Sequence, residues 1–320
     1  MHHKEFKAIV QNAWNIPVGF LDSAKKINAK FKNVRRGLKI WAKNLPCLKS
    51  QICNVNATID FLDIMEEMRT LTVQEWNLRD ILKNLIISLL QDQNTYWKQR
   101  GKIKWVKLGD ENTKFFHSRA TISFWHNYIS MLKDASDLEV YDHDGKADLL
   151  WNSFKNRMGT SDKPEMHFNL NDLARECLSQ DERDALEKPF SNEEIDEVIK
   201  DLPNDKSPGP DGFNNEFMKH CWPIIKDDVR HLLMDFYEGK TSLERINASF
   251  ITLIPKIAAP LSPADFRPIS LLNSVFKIVT KILANRLQKV ILKLVHKNQY
   301  GFLKQRSIQD CLGWAFEFLD

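Results

Sequence analysis

The sequence of 320 residues is 43% apolar and 28% charged, with 11 glycines and 12 prolines. These proportions are typical of a globular protein and exclude a fibrous or largely disordered chain. The five cysteines include no C-x-x-C pair, which argues against a zinc knuckle or a disulfide framework and favours reduced thiols. The first residues lack a signal-peptide pattern, and no apolar run approaches about 18 residues, so we expect an intracellular protein, nuclear or cytoplasmic, without a transmembrane segment.

The net charge of +4 is unevenly distributed. Residues 1–134 hold 22 Lys and Arg against 12 Asp and Glu, residues 135–200 hold 8 against 17, and residues 201–320 hold 16 against 13. A basic first third fits a polyanionic partner, but a helical domain can also become basic without one. Charge alone leaves both interpretations open.

Apolar residues in the first third recur at steps of three and four, which predicts long helices with heptad seams. A break at Pro46 separates residues 21–45 from a second helical stretch at 57–98, so we expect an antiparallel helical hairpin. Its basic face fits either an arm along nucleic acid or a solvated coiled coil. The first seam comprises Leu21, Ala24, Ile27, Phe31, Val34, Leu38, Trp41 and Leu45.

Basic and aromatic residues alternate in "GKIKWVKLGDENTKFFHSRA", residues 101–120. Such a pattern can hold phosphates and stack on bases, although a strand leading into a core helix has the same appearance. The candidate nucleic-acid contacts are Lys102, Lys104, Lys107, Lys114 and Arg119.

The next stretch is acidic and ends where a new unit begins. "DHDG" at 142–145 lacks the glutamate that a calcium loop carries at its twelfth position, so we interpret it as a turn. Ser191 and Glu194 form a capping-box pattern that predicts a helix start at Ser191. "SPGPDG" at 207–212 contains two prolines that remove backbone donors, which excludes a phosphate-binding loop and predicts a stiff turn before a helix.

From residue 248 the pattern predicts two short strands joined by a proline-containing loop, followed by a helix that begins at Asn273. Lys256 and Arg267 lie at the loop ends of these strands. A guanidinium fork and a flexible ammonium that converge suit a triphosphate better than a carboxylate. The alternative is that both are ordinary strand-end charges paired with Asp265 or Asp205.

Several motifs together carry a resemblance to a known family. In order and spacing, "LPNDKSPGPDGFNNEFMKHCW", "ITLIPK", "FRPISLLNSVFKIVTKILANRL" and "NQYGFLKQRSIQDCL" closely resemble the reverse transcriptase of plant LINE-type (non-LTR) retrotransposons. "KWVKLGDENTKFFHSRA" looks like the segment between the endonuclease and polymerase domains of such polyproteins. The resemblance covers roughly residues 5–320.

The resemblance implies a right-hand polymerase with fingers that hold the incoming nucleotide and a palm whose aspartates bind two Mg²⁺ ions. Lys256 and Arg267 match the fingers cations that contact the triphosphate. A second group matches the stretch near the template and nucleotide: Gln299, Gly301, Phe302, Arg306 and Ser307. The implied partners are an RNA template, a DNA primer and a deoxynucleoside triphosphate.

The catalytic blocks of the family, [ILV]-x-[ILV]-D-[FL]-x-K-A-F-D and Y-x-D-D, do not occur in the sequence. Asp320 is not a substitute, because Ser307 and Asp310 predict a capping box that places it on a helix, whereas the metal ligand belongs on a strand. We therefore expect a truncated polymerase with no metal or other cofactor of its own and no catalysis. The alternatives are a nucleic-acid-binding protein that acts through basic helices and an inactive retroelement remnant.

The expected fold is mainly α with a small β-hairpin, of the α+β class. Its predicted parts are a basic helical linker at 1–134, an acidic helical connector at 135–189, and a truncated fingers subdomain at 190–320.

Overall fold

The computed structural model describes residues 5–101, 113–159, 178–204 and 206–317. These residues form a mainly helical fold with two small two-stranded sheets, which confirms the predicted fold class. The helices are α1 (Phe6–Trp14), α2 (Ser23–Asn44), α3 (Leu48–Met68), α4 (Val73–Gly101), α5 (Thr113–Asn127), α6 (His143–Met158), α7 (Gln180–Glu187), α8 (Asn192–Asp201), α9 (Asn215–Tyr237), α10 (Ser274–Gln288), α11 (Ile291–Leu294) and α12 (Ile308–Glu317). The strands are β1 (Leu132–Lys133), β2 (Glu139–Val140), β3 (Ser249–Pro255) and β4 (Phe266–Leu272).

The chain divides into two compact units that interleave along the sequence. The first unit comprises Met1–Arg35, Gly159–Ile251 and Ser270–Asp320, and the second comprises Arg36–Met158 and Thr252–Ile269. The predicted boundaries after residues 134 and 189 stay predictions.

The first unit has an aromatic core around the start of α2. The Trp14 ring packs edge-on against Phe31 at 5.1 Å between centroids, and Phe31 packs on Phe213 at the same distance. Asp228 on α9 accepts a hydrogen bond from the Trp14 indole at 2.8 Å and one from the Lys30 ammonium at 2.5 Å. Burial alone raises the pKa of Asp228, but the bonds from Lys30 and Trp14 outweigh it and lower that pKa.

The predicted seam of α2 is confirmed from Ala24 to Val34 and is wrong at its two ends, because Leu21 and Leu45 are exposed. Ala24, Ile27, Phe31 and Val34 are buried. Leu21 is fully exposed because it precedes the helix, which begins at Ser23. A heptad pattern in the sequence does not show at which residue the helix begins.

The "SPGPDG" segment is the predicted turn, and it packs against the start of α10. An added Cβ at Gly209 would lie 2.3 Å from the Leu272 carbonyl oxygen, so only glycine fits there. The Asp211 carboxylate accepts from the Ser274 backbone N–H at 2.6 Å, and the Asp211 N–H donates to the Asn273 side chain at 2.9 Å. Helix α10 begins after Asn273 as predicted. Its N-terminal end is capped by the carboxylate of Asp211, which lies far from it in the sequence.

A buried arginine joins α8, the segment before it, and α10. Arg286 is 5% exposed, and its guanidinium donates to both Glu194 carboxylate oxygens at 2.8 and 2.7 Å. It also donates to the backbone carbonyls of Leu186, Lys188 and Pro189. Ser191 caps α8 as predicted by accepting from the Glu194 N–H at 3.2 Å. The Glu194 side chain bonds Arg286, and this bond lowers its pKa.

The second unit contains a helical hairpin that differs from the predicted one. The stretch expected as one helix at 57–98 ends at Met68 and resumes at Val73, and α3 packs against α4. Arg79 bridges to Asp63 at 2.6 Å and to Glu66 at 2.5 Å, which ties the two helices together. The single helix predicted at 57–98 is therefore wrong, because the chain turns back at 69–72, where no proline or glycine marks the turn. The pairing of residues 21–45 with this stretch stays a prediction.

A two-residue ladder precedes α6 in the second unit. β1 and β2 pair antiparallel, with Leu132 opposite Val140, and Leu132 is fully buried. The "DHDG" segment begins α6 and is not only a turn, because the Asp142 carboxylate accepts from the Gly145 N–H at 2.6 Å. Among the described helices, none is long and apolar enough to cross a membrane.

Replacing Arg286 is expected to destabilise the first unit strongly. Arg286→Met leaves the Glu194 carboxylate and three carbonyls without their donor, and breaking a buried pair on one side costs about 3–5 kcal/mol. Urea unfolding and amide exchange in α8 and α10 measure the loss. Lys293→Met is the control, because Lys293 is exposed in its 2.5 Å pair with Glu182 and such pairs contribute about 1 kcal/mol or less. Equal stabilities of the two variants would contradict this role of Arg286.

The Glu194–Arg286 pair also predicts acid sensitivity. The pKa of Glu194 lies below its ordinary value of 4.5 in the folded chain. Its contribution to stability is therefore fully present above the unfolded-state pKa and is lost as the pH falls through the folded-state pKa. We expect the amide protection of α8 to decline below about pH 4.5, and Glu194→Gln to remove that part of the pH dependence. Identical pH profiles for both proteins would refute the assignment.

Candidate nucleotide-phosphate site

The hairpin of β3 and β4 sets the register of the two predicted phosphate-binding cations. The Lys256 N–H donates to the Asp265 carbonyl at 2.8 Å, which places these residues opposite each other. Continuing this antiparallel pairing sets Arg267 opposite Ile254, with Pro255 and Pro268 at positions whose nitrogens point away from the partner strand. Proline has no N–H to donate, so both prolines suit this register.

Lys256 and Arg267 consequently project from one face of the hairpin. They are diagonal neighbours, a relation that brings residues to about 7–8 Å of each other. Both are exposed, whereas Phe266 on the opposite face is 1% exposed. The register therefore places both exposed cations on the same side of the hairpin.

The loop between the strands is held by Asp265. Its carboxylate accepts from the backbone N–H groups of Ser262 at 2.9 Å and Leu261 at 3.0 Å, and from the Ser262 hydroxyl at 3.2 Å. The N–H groups of Ser262 and Leu261 lower the pKa of this carboxyl. The Ser262-x-x-Asp265 spacing is the sequence signal for this loop, in which Asp265 has a role other than the predicted pairing with the cations.

The rest of the second unit supports this loop. The Lys133 N–H on β1 donates to the Leu261 carbonyl at 2.7 Å, and α6 packs against the 3₁₀ turn at Pro263–Asp265. The loop is therefore attached at several points to elements on both sides of the β1–β2 turn.

The two cations differ in how they are engaged. The Lys256 ammonium donates to the Ala264 carbonyl at 2.6 Å, which uses one of its three donors. Within the described part of the chain, the Arg267 guanidinium has no hydrogen bond or ion pair. No salt bridge joins either cation to Asp265 among the described residues, and Asp205, the other alternative partner, lies outside them. The arrangement can hold an anion through the forked donors of the Arg267 guanidinium and the single charge of the Lys256 ammonium.

The second predicted group belongs to the first unit, where Arg306 organises a loop. Its guanidinium donates to the carbonyls of His296 at 2.6 Å, Gln299 at 2.7 Å and Val295 at 3.4 Å. The Gln299 amide donates to the Gly301 carbonyl at 3.3 Å. Arg306 thus fixes the conformation of the loop by donating to its backbone carbonyls.

Phe302 is presented at the surface of that loop. Its backbone has a φ of 66°, which a bulky residue rarely adopts, and its ring is fully exposed. Ser307 precedes α12, and the Asp310 carboxylate accepts from its N–H at 3.1 Å. The hydroxyl of Ser307 accepts from the Gln309 N–H, so only half of the predicted capping box forms. Asp320 lies outside the described residues.

The predicted contacts at 101–120 are only partly described. Lys102, Lys104 and Lys107 lie outside the described residues, and Lys114 lies on α5 with a side chain that the structure does not describe. Arg119 is exposed on α5. Of these five, Arg119 alone can be placed at a surface.

The described residues contain no group of three or more His, Cys, Asp or Glu side chains that could hold a metal ion. The Mg²⁺ ions that the family resemblance implies therefore have no matching donor set here, and we derive no step through them.

Sequence comparisons agree with the motifs. Residues 254–319 match the family model described as reverse transcriptase (RNA-dependent DNA polymerase), a range that contains both Lys256 and Arg267 and also the loop organised by Arg306. Proteins of transposons and other mobile elements are also similar to the chain. It is 30% identical over 134 residues to the "Transposon TX1 uncharacterized 149 kDa protein" of Xenopus laevis. It is 23% identical over 315 residues to the "RNA-directed DNA polymerase from mobile element jockey" of Drosophila funebris.

These matches cover the chain and its relatives unequally. The Xenopus match takes in 42% of this chain but 10% of the relative, and the Drosophila match takes in 82% of this chain but 33% of the relative. A "Retrovirus-related Pol polyprotein from type-1 retrotransposable element R2" of Nasonia vitripennis is 32% identical over 34% of this chain and 10% of its own length. The chain thus spans a third or less of these relatives.

Proposed function

We propose that this chain is part of an RNA-directed DNA polymerase of a LINE-type retroelement, and that its β3–β4 hairpin binds the triphosphate of an incoming deoxynucleotide. The observation that carries the proposal is the placement of Lys256 and Arg267 on one exposed face, while the nearest carboxylate, Asp265, is engaged by the backbone of its own loop. The reverse transcriptase match over 254–319 supports this choice of ligand. The plant-type assignment rests on the motif resemblance.

The two cations have different roles in this proposal. The planar guanidinium of Arg267 offers paired donors that match two phosphate oxygens, and the Lys256 ammonium adds a mobile point charge. A triphosphate has enough oxygens and charge to engage both at once, whereas a carboxylate is satisfied by the fork alone. The Ala264 carbonyl orients the Lys256 side chain before the ligand arrives.

The loop of the first unit is proposed to lie beside the template and nucleotide. Gln299, Gly301, Phe302, Arg306 and Ser307 match the family stretch with that role. In this chain the Arg306 guanidinium donates to carbonyls of the loop, so its proposed role is to position the loop. The exposed ring of Phe302 is the proposed contact with the template or nucleotide. RNA template and DNA primer are accordingly the proposed partners.

Nucleotidyl transfer is not proposed for the 320 residues by themselves. Neither of the family's aspartate blocks occurs in the sequence. Binding the triphosphate positions a substrate but leaves the attacking and leaving oxygens unstabilised. We therefore propose nucleotide binding without chemistry for this stretch of chain.

A second candidate function is nucleic-acid binding through basic helices. The observation in its favour is a set of exposed cations along α2, namely Lys25, Lys32, Arg36, Lys39 and Lys43. Lys26 and Lys30 do not belong to that set because they contact Asp228. Such binding would not require the hairpin.

Nucleotide binding distinguishes the two functions. We expect dTTP to bind the 320-residue chain, and Lys256→Gln and Arg267→Gln each to weaken binding about tenfold or more, because each removes charge-assisted hydrogen bonds. Arg267→Lys should also weaken it, since an ammonium cannot replace the fork. Isothermal titration calorimetry measures the dissociation constants. Lys32→Gln and Lys39→Gln are the matched controls and should leave dTTP affinity unchanged.

Two outcomes would reject the triphosphate site. The first is equal affinity for dTTP in the wild type and both hairpin variants. The second is loss of affinity in the α2 control variants to the same extent, which would indicate general attraction between a basic chain and an anion.

A further inference from the structure

The Asp265 side chain closes the 3₁₀ turn that precedes β4. Its three hydrogen bonds, from the N–H groups of Leu261 and Ser262 and from the Ser262 hydroxyl, all reach the same oxygen, Oδ2, at 3.0, 2.9 and 3.2 Å. The Asp265 N–H in turn donates to the Ser262 carbonyl at 3.0 Å. One residue therefore fixes the turn at Pro263–Asp265 through both its backbone and its carboxylate.

The same turn holds the side chain of Lys256. Ala264 is the middle residue of the turn, and its carbonyl accepts from the Lys256 ammonium at 2.6 Å. The Lys256 N–H donates to the Asp265 carbonyl at 2.8 Å, so the backbone and the side chain of Lys256 are both attached to the turn. A lysine side chain is flexible when it is free. The position of the Lys256 ammonium therefore depends on a turn that Asp265 closes.

The bond to Ala264 keeps the ammonium on the loop side of the hairpin. Lys256 and Arg267 are diagonal neighbours, a relation that separates residues by about 7–8 Å. Ala264 precedes Asp265 in the chain, so it lies on the side of Lys256 that is away from Arg267. A phosphate group held by the Arg267 fork stays near that side chain, whereas a triphosphate carries oxygens along a longer chain. An ammonium held at the loop is therefore better placed for the longer anion.

Asp265 acts on Lys256 mainly through geometry. The backbone bonds from Ser262 and Leu261 lower the pKa of Asp265 most, and the charge of Lys256 contributes less. Asparagine separates geometry from charge at this position. Its side-chain oxygen can accept the same three hydrogen bonds as Oδ2, but the group is neutral.

We propose that Asp265 is a positioning residue of the triphosphate site and makes this site prefer a triphosphate to a monophosphate. Asp265 holds the turn, and the Ala264 carbonyl in that turn holds the Lys256 ammonium away from Arg267. A monophosphate consequently engages one cation, whereas a triphosphate engages both. The inference rests on the proposed function, because it concerns the same two cations.

The test compares Asp265→Ala and Asp265→Asn with the wild type in the full chain. Isothermal titration calorimetry gives the dissociation constants of dTTP and dTMP. In the wild type dTMP should bind about tenfold or more weakly, because it lacks the second charge-assisted contact. In Asp265→Ala, dTTP should bind about tenfold more weakly with dTMP affinity unchanged, because the second cation is no longer preorganised. Asp265→Asn should keep the wild-type preference.

Asp22→Ala is the matched control. Asp22 belongs to the first unit. Like Asp265, it accepts from a backbone N–H three residues away and from a hydroxyl, those of Lys25 and Thr241. This variant should leave the preference for dTTP unchanged. Unfolding of the hairpin would weaken dTTP and dTMP alike, so a loss confined to dTTP distinguishes positioning from a general loss of structure.

A second measurement needs no nucleotide. An amine-reactive ester should modify Lys256 about two- to tenfold faster in Asp265→Ala than in the wild type, the range expected when one hydrogen bond is lost. Exposed Lys32 on α2 is the internal reference, and mass spectrometry follows both rates. Asp265→Asn should be modified at the wild-type rate.

The outcomes separate this inference from the proposed function. Equal affinity of the wild type for dTTP and dTMP would reject the triphosphate site and the role of Asp265 in it. A wild-type preference for dTTP that persists in Asp265→Ala would reject the positioning role alone, as would an Asp265→Asn variant that behaves like Asp265→Ala. An unchanged rate of Lys256 modification in Asp265→Ala would reject the positioning role whether or not nucleotide binds.

Discussion

The Asp265 carboxylate is the interaction on which the candidate site depends. By accepting three hydrogen bonds from Leu261 and Ser262 it fixes the loop between β3 and β4. The same bonds hold its carboxylate in the loop, so it forms no ion pair with Lys256 or Arg267 among the described residues, although the charge of Lys256 also lowers its pKa. If Asp265 paired with either cation, the hairpin would be an ordinary strand end. The proposed triphosphate site therefore requires that Asp265 bonds its own loop and forms no ion pair with either cation.

Two further sets of hydrogen bonds stabilise the first unit, and a charged side chain makes each of them. Arg286 gathers carbonyls and the Glu194 carboxylate at the base of α8, and Asp211 caps α10 from a glycine-proline turn. Each binds backbone groups that would otherwise be unsatisfied. The two prolines of that turn, Pro208 and Pro210, stiffen the segment that delivers Asp211. The motifs on which the sequence resemblance rests therefore contribute to folding.

Local signals in the sequence predicted local structure well. Ser191 caps a helix where its capping box predicted, the strands around Lys256 and Arg267 form, and α10 begins after Asn273. Partners distant in sequence were not predictable. Glu194 bonds Arg286, 92 residues away, instead of closing its own box, and Asp211 caps α10 from 62 residues upstream of Asn273. The turn at 69–72 contains neither proline nor glycine, so the helical spacing of apolar residues in the sequence does not reveal it.

The most direct test of the account is protection of the Lys256 amine by nucleotide. Lys256 is exposed, so an amine-reactive ester should modify it, and mass spectrometry can follow its rate beside that of Lys32 on α2. The account predicts that dTTP slows modification of Lys256 but not of Lys32, and that dTMP at the same concentration has little effect. Unchanged modification of Lys256 at saturating dTTP would contradict the proposed triphosphate site.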